Sequence, residues 1–461
     1  MDKGLRTFLL ILMVVAALIG LHFLPSMRIG NYELRNIDIL SDVRSKTAVE
    51  STHNIQEAIP AATDTISEDM EADTLPPTLG HFFSILDSAR LRPVRIAYFG
   101  DSFIEGDIMT ASLRNLLQQV YGGKGVGWVD IQSSTAGFRT TVLEMSRGWQ
   151  EHNAVGSNSS GFDPELQGIS GRYYTPTPGA YIDIRGQKHV YGEQLDTMQR
   201  ATLFFTPSPG MKLNVSVNGT AFQPLYQCDD DTIAPDTIVA LTLKGKMGRV
   251  RVNVEGDGRF YGMAFESWRG ITLDCFPMRG SPGYHIGAIP EHTLQQFARL
   301  RPYDLIILHF GLNMASPTVR TYQPYKERFK KCIELYKQIF PQASILLVSM
   351  NDRDVRGADG QFHTMDGVLE LVEIQRQMAE EEGIMFWNLQ EAMGGEGSMA
   401  RLHAEGKANH DYTHINFRGG EVLGQLLFDF LQTERANEVK RAENADETEQ
   451  NGSRPTEGNT H

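Results

Sequence analysis

Cysteine is scarce in this chain. Only Cys228, Cys275 and Cys332 occur, and no two of them form a Cys-x-x-Cys pair. That excludes a disulfide framework and a cysteine zinc site, and it leaves Cys275 and Cys332 as small buried apolar residues. An excess of positive charge is also lacking. Lys and Arg number 43 against 57 Asp and Glu, for a formal charge of -14. Nucleic-acid binding calls for a basic surface, so that class is excluded, and the main body has no charge to draw it to anionic lipid. Long apolar runs are missing except at the start, where Lys3 and Arg6 precede Phe8 to Leu24 and Pro25 closes the run.

That run is long enough to span a bilayer. A cleaved signal peptide is the competing reading, but the following residues, Leu21-His22-Phe23-Leu24-Pro25-Ser26-Met27-Arg28, offer no small-x-small site. An uncleaved N-terminal membrane anchor over residues 1–27 is the expectation, with the body exported. Residues 28–80 are expected to be an acidic tether, rich in residues such as Glu50, Glu57, Asp64, Glu68 and Asp73 and poor in large apolar side chains.

A length of 461 residues and a hydrophobic fraction of 41% suit two folded units plus tails. Over 81–146 and 268–435 strand-like and helix-like runs alternate. Pro93 to Phe99 reads as a strand and Thr110 to Leu117 as the start of a helix. Further on, Tyr325 to Ile339 reads helical, Ala343 to Met350 extended, Val368 to Glu382 helical and Ile384 to Leu389 extended. Such alternation predicts an α/β fold with a parallel sheet covered by helices. Over 147–267 the pattern switches to period two, as in Lys212 to Val217 and Arg249 to Val254, with turn chemistry at Asn218-Gly219 and Glu255-Gly256-Asp257-Gly258. An inserted β-sandwich of jelly-roll kind is expected there. Trp149, Tyr173, Tyr174 and Tyr226 within it are more simply core than sugar platform. Residues 436–461 read as a disordered tail.

Two short segments carry chemistry. Gly100-Asp101-Ser102 lies where the first strand gives way to a helix, a place where ligands gather in open α/β sheets and where N–H groups are unpaired. Alone, it is also ordinary turn chemistry. Asp411-Tyr412-Thr413-His414 adds a carboxylate and an imidazole three residues apart, on one face if the segment is a helical turn. Together they supply a nucleophile, a base and a group to orient the base: Ser102, His414 and Asp411. A competing reading takes His403, His410, Asp411 and His414 as metal ligands, but it leaves Ser102 without a role.

With these segments in place the chain resembles the SGNH hydrolases of GDSL-like type. The Ser block is Phe99 to Asp107, and the His block is Asp411 to Asn416 followed by Gly419-Gly420. The Asn block is the apolar strand Leu305 to Phe310 ending in Gly311-Leu312-Asn313, with Met314 where the family usually has an acidic residue. The Gly block lies in Met278-Arg279-Gly280-Ser281-Pro282-Gly283, with Gly280 preferred and Gly283 open. The resemblance implies a flavodoxin-like three-layer α/β/α fold, no cofactor, no metal, and an oxyanion hole from the N–H groups of Ser102 and Gly280 and the Asn313 amide. The inserted sandwich is similar to the accessory domain of peptidoglycan O-acetylesterases. The implied partner is an acetylated polysaccharide, met in the bacterial periplasm or at the cell surface. The function implied is O-acetyl ester hydrolysis, with O-acetyl transfer by the same triad, or non-catalytic cell-wall binding on this fold, as alternatives.

Overall fold

The computed structural model describes residues 28–29, 32–33, 78–155, 161–229, 234, 236–319 and 321–452. The chain divides into two compact units, Met1–Asp73 and Thr74–His461. In the first, Arg28–Ile29 and Tyr32–Glu33 pair as a short antiparallel hairpin. The expected membrane anchor over 1–27 and nearly all of the tether lie outside the described residues. Among the described residues no helix is long and apolar enough to cross a membrane.

The second unit is built on a five-stranded parallel sheet. Its strands are β1 (Pro93–Gly100), β12 (Gly270–Pro277), β13 (Leu305–His309), β14 (Ser344–Val348) and β17 (Met385–Trp387), in the order β12-β1-β13-β14-β17. Numbered along the chain this is 2-1-3-4-5, the flavodoxin-like order, whose crevice opens at the carboxyl ends of the first and third strands. Side chains alternate between two cores, as period two demands. Val94, Ile96 and Tyr98 of β1 face one side. There they meet Leu113 and Leu117 of α2 (Thr110–Tyr121), Phe82 of α1 (Gly80–Leu86), and Leu423, Leu427 and Leu431 of α7 (Phe417–Gly452). Ala97 and Phe99 face the other, with Phe297 of α3 (Glu291–Leu300), Ile333 and Tyr336 of α4 (Gln323–Ile339) and Leu371 of α5 (Val368–Glu382). The three layers follow.

α7 continues to Gly452, through residues whose composition reads as a disordered tail. Composition there is polar, but Arg435 donates to Asp87 Oδ1 (2.7 Å) and to the Tyr121 hydroxyl (3.2 Å), and Arg441 pairs with Glu438 one turn away. These contacts extend the helix past its last apolar anchor, Leu431.

The antiparallel part comprises β2 (Gly127–Val129), β3 (Val142–Glu144), β4 (Arg147–Asn153), β5 (Arg172–Gly186), β6 (Met198–Pro207), β7 (Lys212–Val217), β8 (Gln223–Gln227), β9 (Val239–Met247), β10 (Arg249–Glu255) and β11 (Gly258–Glu266). These strands form a single hydrogen-bonded sheet, β8-β7-β10-β5-β11-β6-β9, with β2 on β11 and β3 and β4 on β5. The sheet curls about the long strand β5. Over Arg172 to Pro176 β5 pairs with β4 and, at Tyr174–Phe260, with β11; past an irregularity it meets β4 again at Tyr181, and over Tyr181 to Gly186 it pairs with β10 and β3. Proline withholds an N–H donor, so the β4 ladder is interrupted between Pro176 and Tyr181. The two halves close on one core that includes Ile182, Ile184, Leu203, Phe205, Val250, Val252 and Met263. Trp149, Tyr173 and Tyr174 are buried rather than displayed. Two strands, β2 and β3, come from before residue 147, where the sequence pattern had placed the start of this region.

Candidate active site

β1 delivers the chain to the crevice and Gly100 ends it, since a Cβ there would crowd the His309 carbonyl and the Ile104 side chain. Asp101 then caps a 3₁₀ turn, Ser102–Asp107, by accepting the Phe103 N–H at 3.0 Å. Ser102 therefore opens a tight turn of its own, and α2 begins at Thr110. The far end of this turn is fixed by Asp107, whose buried carboxylate meets Arg114 (3.0 Å), Arg139 (2.9 Å) and Thr110 (2.9 Å). Burial alone would raise the Asp107 pKa, but Arg114 and Arg139 hold it well below the usual carboxylate range.

His414 arrives from the other end of the chain. Its Nε2 lies 2.9 Å from Ser102 Oγ, across 312 residues of sequence, and its Nδ1 lies 2.7 Å from Asp411 Oδ2. Asp411 and His414 do not share a helical turn as the spacing had suggested. Tyr412 adopts φ 51°, and the segment is a bend held by Asp411 Oδ1, which accepts the N–H groups of Thr413 and His414, each at 3.0 Å. One carboxylate thus orders the backbone with one oxygen and the imidazole with the other. Burial pushes the Asp411 pKa up, but the N–H and imidazole of His414 and the Thr413 N–H outweigh it and leave it lowered. The bend is moored by the Asp354 N–H on the Tyr412 carbonyl (3.0 Å), by Asn351 Nδ2 on the Thr413 carbonyl (3.1 Å) and by Phe362 stacked on Tyr412.

Asn313 follows β13 in the turn Gly311–Met314, so the third strand of the sheet places it beside the Ser block. Its Nδ2 donates to the Ser281 carbonyl (3.0 Å) and to Asp101 Oδ2 (3.3 Å). Gly280 follows β12 with φ 78° and has room around it, the nearest atom to an added Cβ being Val155 Cγ1 at 3.6 Å. Gly283 serves packing instead. Its N–H is taken by Ser281 Oγ at 2.9 Å, and a Cβ would strike Phe329 and Phe310. That leaves Gly280 the better placed of the two glycines to present a free N–H. The loop is tied to β1 by the Met278 N–H on the Gly100 carbonyl (2.8 Å).

Several residues that the motifs did not single out complete the site. Asp101 joins the Ser and Asn blocks through its two oxygens, and burial pushes its pKa up to about 7 against hydrogen bonds from Phe103, Leu312 and Asn313. Ser281 Oγ meets His285 Nδ1 at 2.7 Å beneath the Gly280 loop, and burial, with Arg172 near, pushes that histidine down to about 3, so it is neutral. Arg279 pairs with Glu105 at the rim. A carboxylate directly before Ser102 and a Ser-x-x-x-His after Gly280 were the available signals. The four residues of the competing metal reading separate into two pairs, His403 Nε2 with His410 Nδ1 at 2.8 Å and His414 with Asp411. Ser102, Glu105, Phe138, Arg279, Asn409, Asp411 and His414 all line one cleft of about 370 Å³.

No family model and no curated protein sequence matches this chain. Among solved structures it is similar to a peptidoglycan O-acetylesterase at 20% identity, with a TM-score of 0.64, over 79% of this chain and 99% of that one. A family two carbohydrate esterase from Cellvibrio japonicus is 10% identical, with a TM-score of 0.27, over 64% of this chain and 98% of that one. An acetyl xylan esterase, AlAXEase, is 13% identical, with a TM-score of 0.25, over 34% and 80% respectively. The chain shares the fold of the first of these.

Proposed function

We propose that this chain is a serine esterase that removes O-acetyl groups from a polysaccharide through an acetyl-serine intermediate. The observation that carries the reading is the continuous chain from Ser102 Oγ to His414 Nε2 (2.9 Å) and from His414 Nδ1 to Asp411 Oδ2 (2.7 Å). In this reading His414 Nε2 takes the Ser102 proton as Oγ attacks the acetyl carbonyl. Asp411, kept ionised, holds the Nδ1 proton and stabilises the imidazolium. The N–H groups of Ser102 and Gly280 and the Asn313 amide receive the oxyanion. For Asn313 this means exchanging a present acceptor, Ser281 or Asp101, for the substrate oxygen. His414 then returns its proton to the departing sugar oxygen, and water, activated by the same imidazole, frees acetate.

Peptidoglycan is the substrate we favour, on the strength of the fold shared with a peptidoglycan O-acetylesterase. The apolar run Phe8 to Leu24 supports an exported body tethered to the membrane. The curled sheet is read as an accessory module of jelly-roll kind, similar to carbohydrate-binding modules.

The test is acetate release from O-acetylated cell wall and from an aryl acetate, with and without an added sugar acceptor. Ser102→Ala and His414→Ala are expected to lose about 10⁴-fold or more in kcat with the fold intact by circular dichroism. Asn313→Ala is expected to lose about 100-fold or more. Unchanged turnover in Ser102→Ala would remove the nucleophile. Acetyl appearing on the acceptor in place of free acetate would make the chain a transferase.

A further inference from the structure

The amino ends of the parallel strands, at the other end of the sheet from the Ser102 cleft, carry a patch that the proposed chemistry does not use. In the register of β1 and β12 Pro93 lies beside Gly270, so the residues leading in, Leu91-Arg92 and Trp268-Arg269, approach side by side. Leu91 is 82% exposed and Trp268 42%, whereas Trp128, Trp149 and Trp387 are buried. The Arg269 guanidinium donates to the Arg90 carbonyl at 3.4 Å and joins the two loops. Arg200 and Lys244 lie 5.0 and 5.9 Å from the centre of the Trp268 ring, and the Trp268 backbone N–H donates to Gln199 Oε1 at 3.1 Å. Lys124 lines both the hollow beside Trp268 and Lys246 and the one beside Arg90 and Arg269.

Around these apolar side chains the charge is positive. Arg90, Lys244, Lys246 and Arg269 are exposed, and among the described residues none of them forms an ion pair. The carboxylates nearby are Glu193 and Asp196 on one flank, with Glu193 4.0 Å from Lys124, while Asp304 is taken by Arg92 and Glu266 by Arg200. The formal charge of -14 argued against attraction of the body to anionic lipid, but that total hides a local excess of the other sign.

A bilayer surface with anionic headgroups fits both halves of the patch. Tryptophan settles at headgroup level, and each Lys or Arg close to such a surface is drawn to it. A soluble anion would engage the cations and leave Leu91 in water. The chain's own apolar run, Phe8 to Leu24, is long enough to hold it at a membrane. The eight residues of β1, roughly 25 Å of strand, separate this end of the sheet from Ser102.

We propose that the face formed by Leu91, Trp268 and the cations around them docks on an anionic bilayer surface and so turns the Ser102 cleft away from the membrane. This needs no acyl chemistry, and it extends the tethering reading by giving the body a facing.

The test uses the full chain in vesicles whose lipids are brominated near the headgroup end of the acyl chain. Trp268 is the one exposed tryptophan of four, so quenching of tryptophan emission reports this face. Strong quenching is expected in phosphatidylglycerol vesicles and little in phosphatidylcholine vesicles, and Trp268→Phe should abolish the difference. Arg90→Gln, Lys246→Gln and Arg269→Gln together, with the fold intact by circular dichroism, should lower the ratio of docked to free bodies about 100-fold, at about fivefold per cation. Quenching that is absent, equal in the two lipids, or kept by the triple variant overturns the proposal. Without vesicles, Trp268 emission that saturates with inorganic phosphate would make this a soluble-anion site, and growing protection from acrylamide as the protein is concentrated would give the face to a second copy; either result overturns it too. Retention on vesicles in about 1 M salt, where surface attraction is screened, scores the anchor separately. A chain retained but unquenched keeps the tether and loses this face; one quenched at low salt and released at high salt keeps the face and loses the anchor.

Discussion

Asp101 holds the site together at the scale of single residues. Its Oδ1 sets the turn that presents Ser102, and its Oδ2 accepts the Asn313 amide, so the proposed nucleophile and the proposed oxyanion donor share one carboxylate. Burial raises its pKa from 3.8 to about 7. The folded chain therefore keeps a proton that the unfolded chain releases between about pH 4 and 7, and folding stability falls as pH rises through that window. Asp101→Asn cannot titrate and also turns an N–H₂ toward donors, so it should be less stable overall. Its deficit against the wild-type chain should shrink between pH 5 and pH 8, read as denaturant midpoints; parallel curves would show that Asp101 does not take up the proton. That Ser102, His414 and Asp411 could meet was legible in the sequence because Gly-Asp-Ser and Asp-x-x-His are local patterns. The work of Asp101 was not, although it stands in the same tripeptide, because it depends on Asn313, 212 residues away.

Among the elements, α7 governs the approach of His414 to Ser102. It starts three residues after His414, and its first turns lie hard against the segment that follows the Ser block. A Cβ on Gly420 would run into the Ile108 carbonyl, and one on Gly424 would come within 2.8 Å of Ser112 Cβ. Only glycine permits that spacing, which gives the Gly419-Gly420 of the His block a packing reason. Gly420→Ala should push α7 away from α2, costing about 1–3 kcal/mol as an overpacked contact. Because His414 moves with the helix, kcat for an aryl acetate should fall about 100-fold, as for a misplacement near 1 Å. Lost stability with full kcat would uncouple the helix from the triad. Helix periodicity located α4 and α5 closely, Gln323–Ile339 against an expected 325–339 and Val368–Glu382 as expected. It missed the end of α7, because that stretch is held by polar contacts such as Arg435–Asp87 and shows no apolar stripe.

On the scale of the whole Thr74–His461 unit, the two sheets are locked by a buried charge cluster that no local pattern announces. Glu266, the last residue of β11, receives Arg95 of β1 with both oxygens at 2.9 Å, Arg301 beyond α3 at 3.3 Å and Arg200 of β6 at 3.4 Å. Arg301 also meets Asp274 of β12, which accepts the Tyr303 hydroxyl at 2.7 Å. Around this cluster Trp128 of β2 and Phe204 of β6 pack on Phe297 of α3, with ring centroids 6.1 and 5.7 Å apart. That the first sheet is parallel could be read from strand and helix alternation, since parallel neighbours need crossover connections. The curl of the antiparallel sheet and its docking could not, because lateral strand order and a cluster gathered from four strands and the loop beyond α3 are set by distant pairs. Burial opposes ionisation of Glu266, but Arg301, Arg95 and Arg200 hold its pKa down to about 2. Its contribution is therefore present above about pH 4.5 and is lost as pH falls through about 2. Glu266→Gln leaves three guanidinium groups short of a carboxylate, and breaking such a buried set should cost about 3–5 kcal/mol at neutral pH. If the sheets fold as one body, calorimetry will show a single transition that moves down as a whole in this variant. Two separable transitions, with only one shifted, would mean that the curled sheet folds independently of the sheet that carries Ser102.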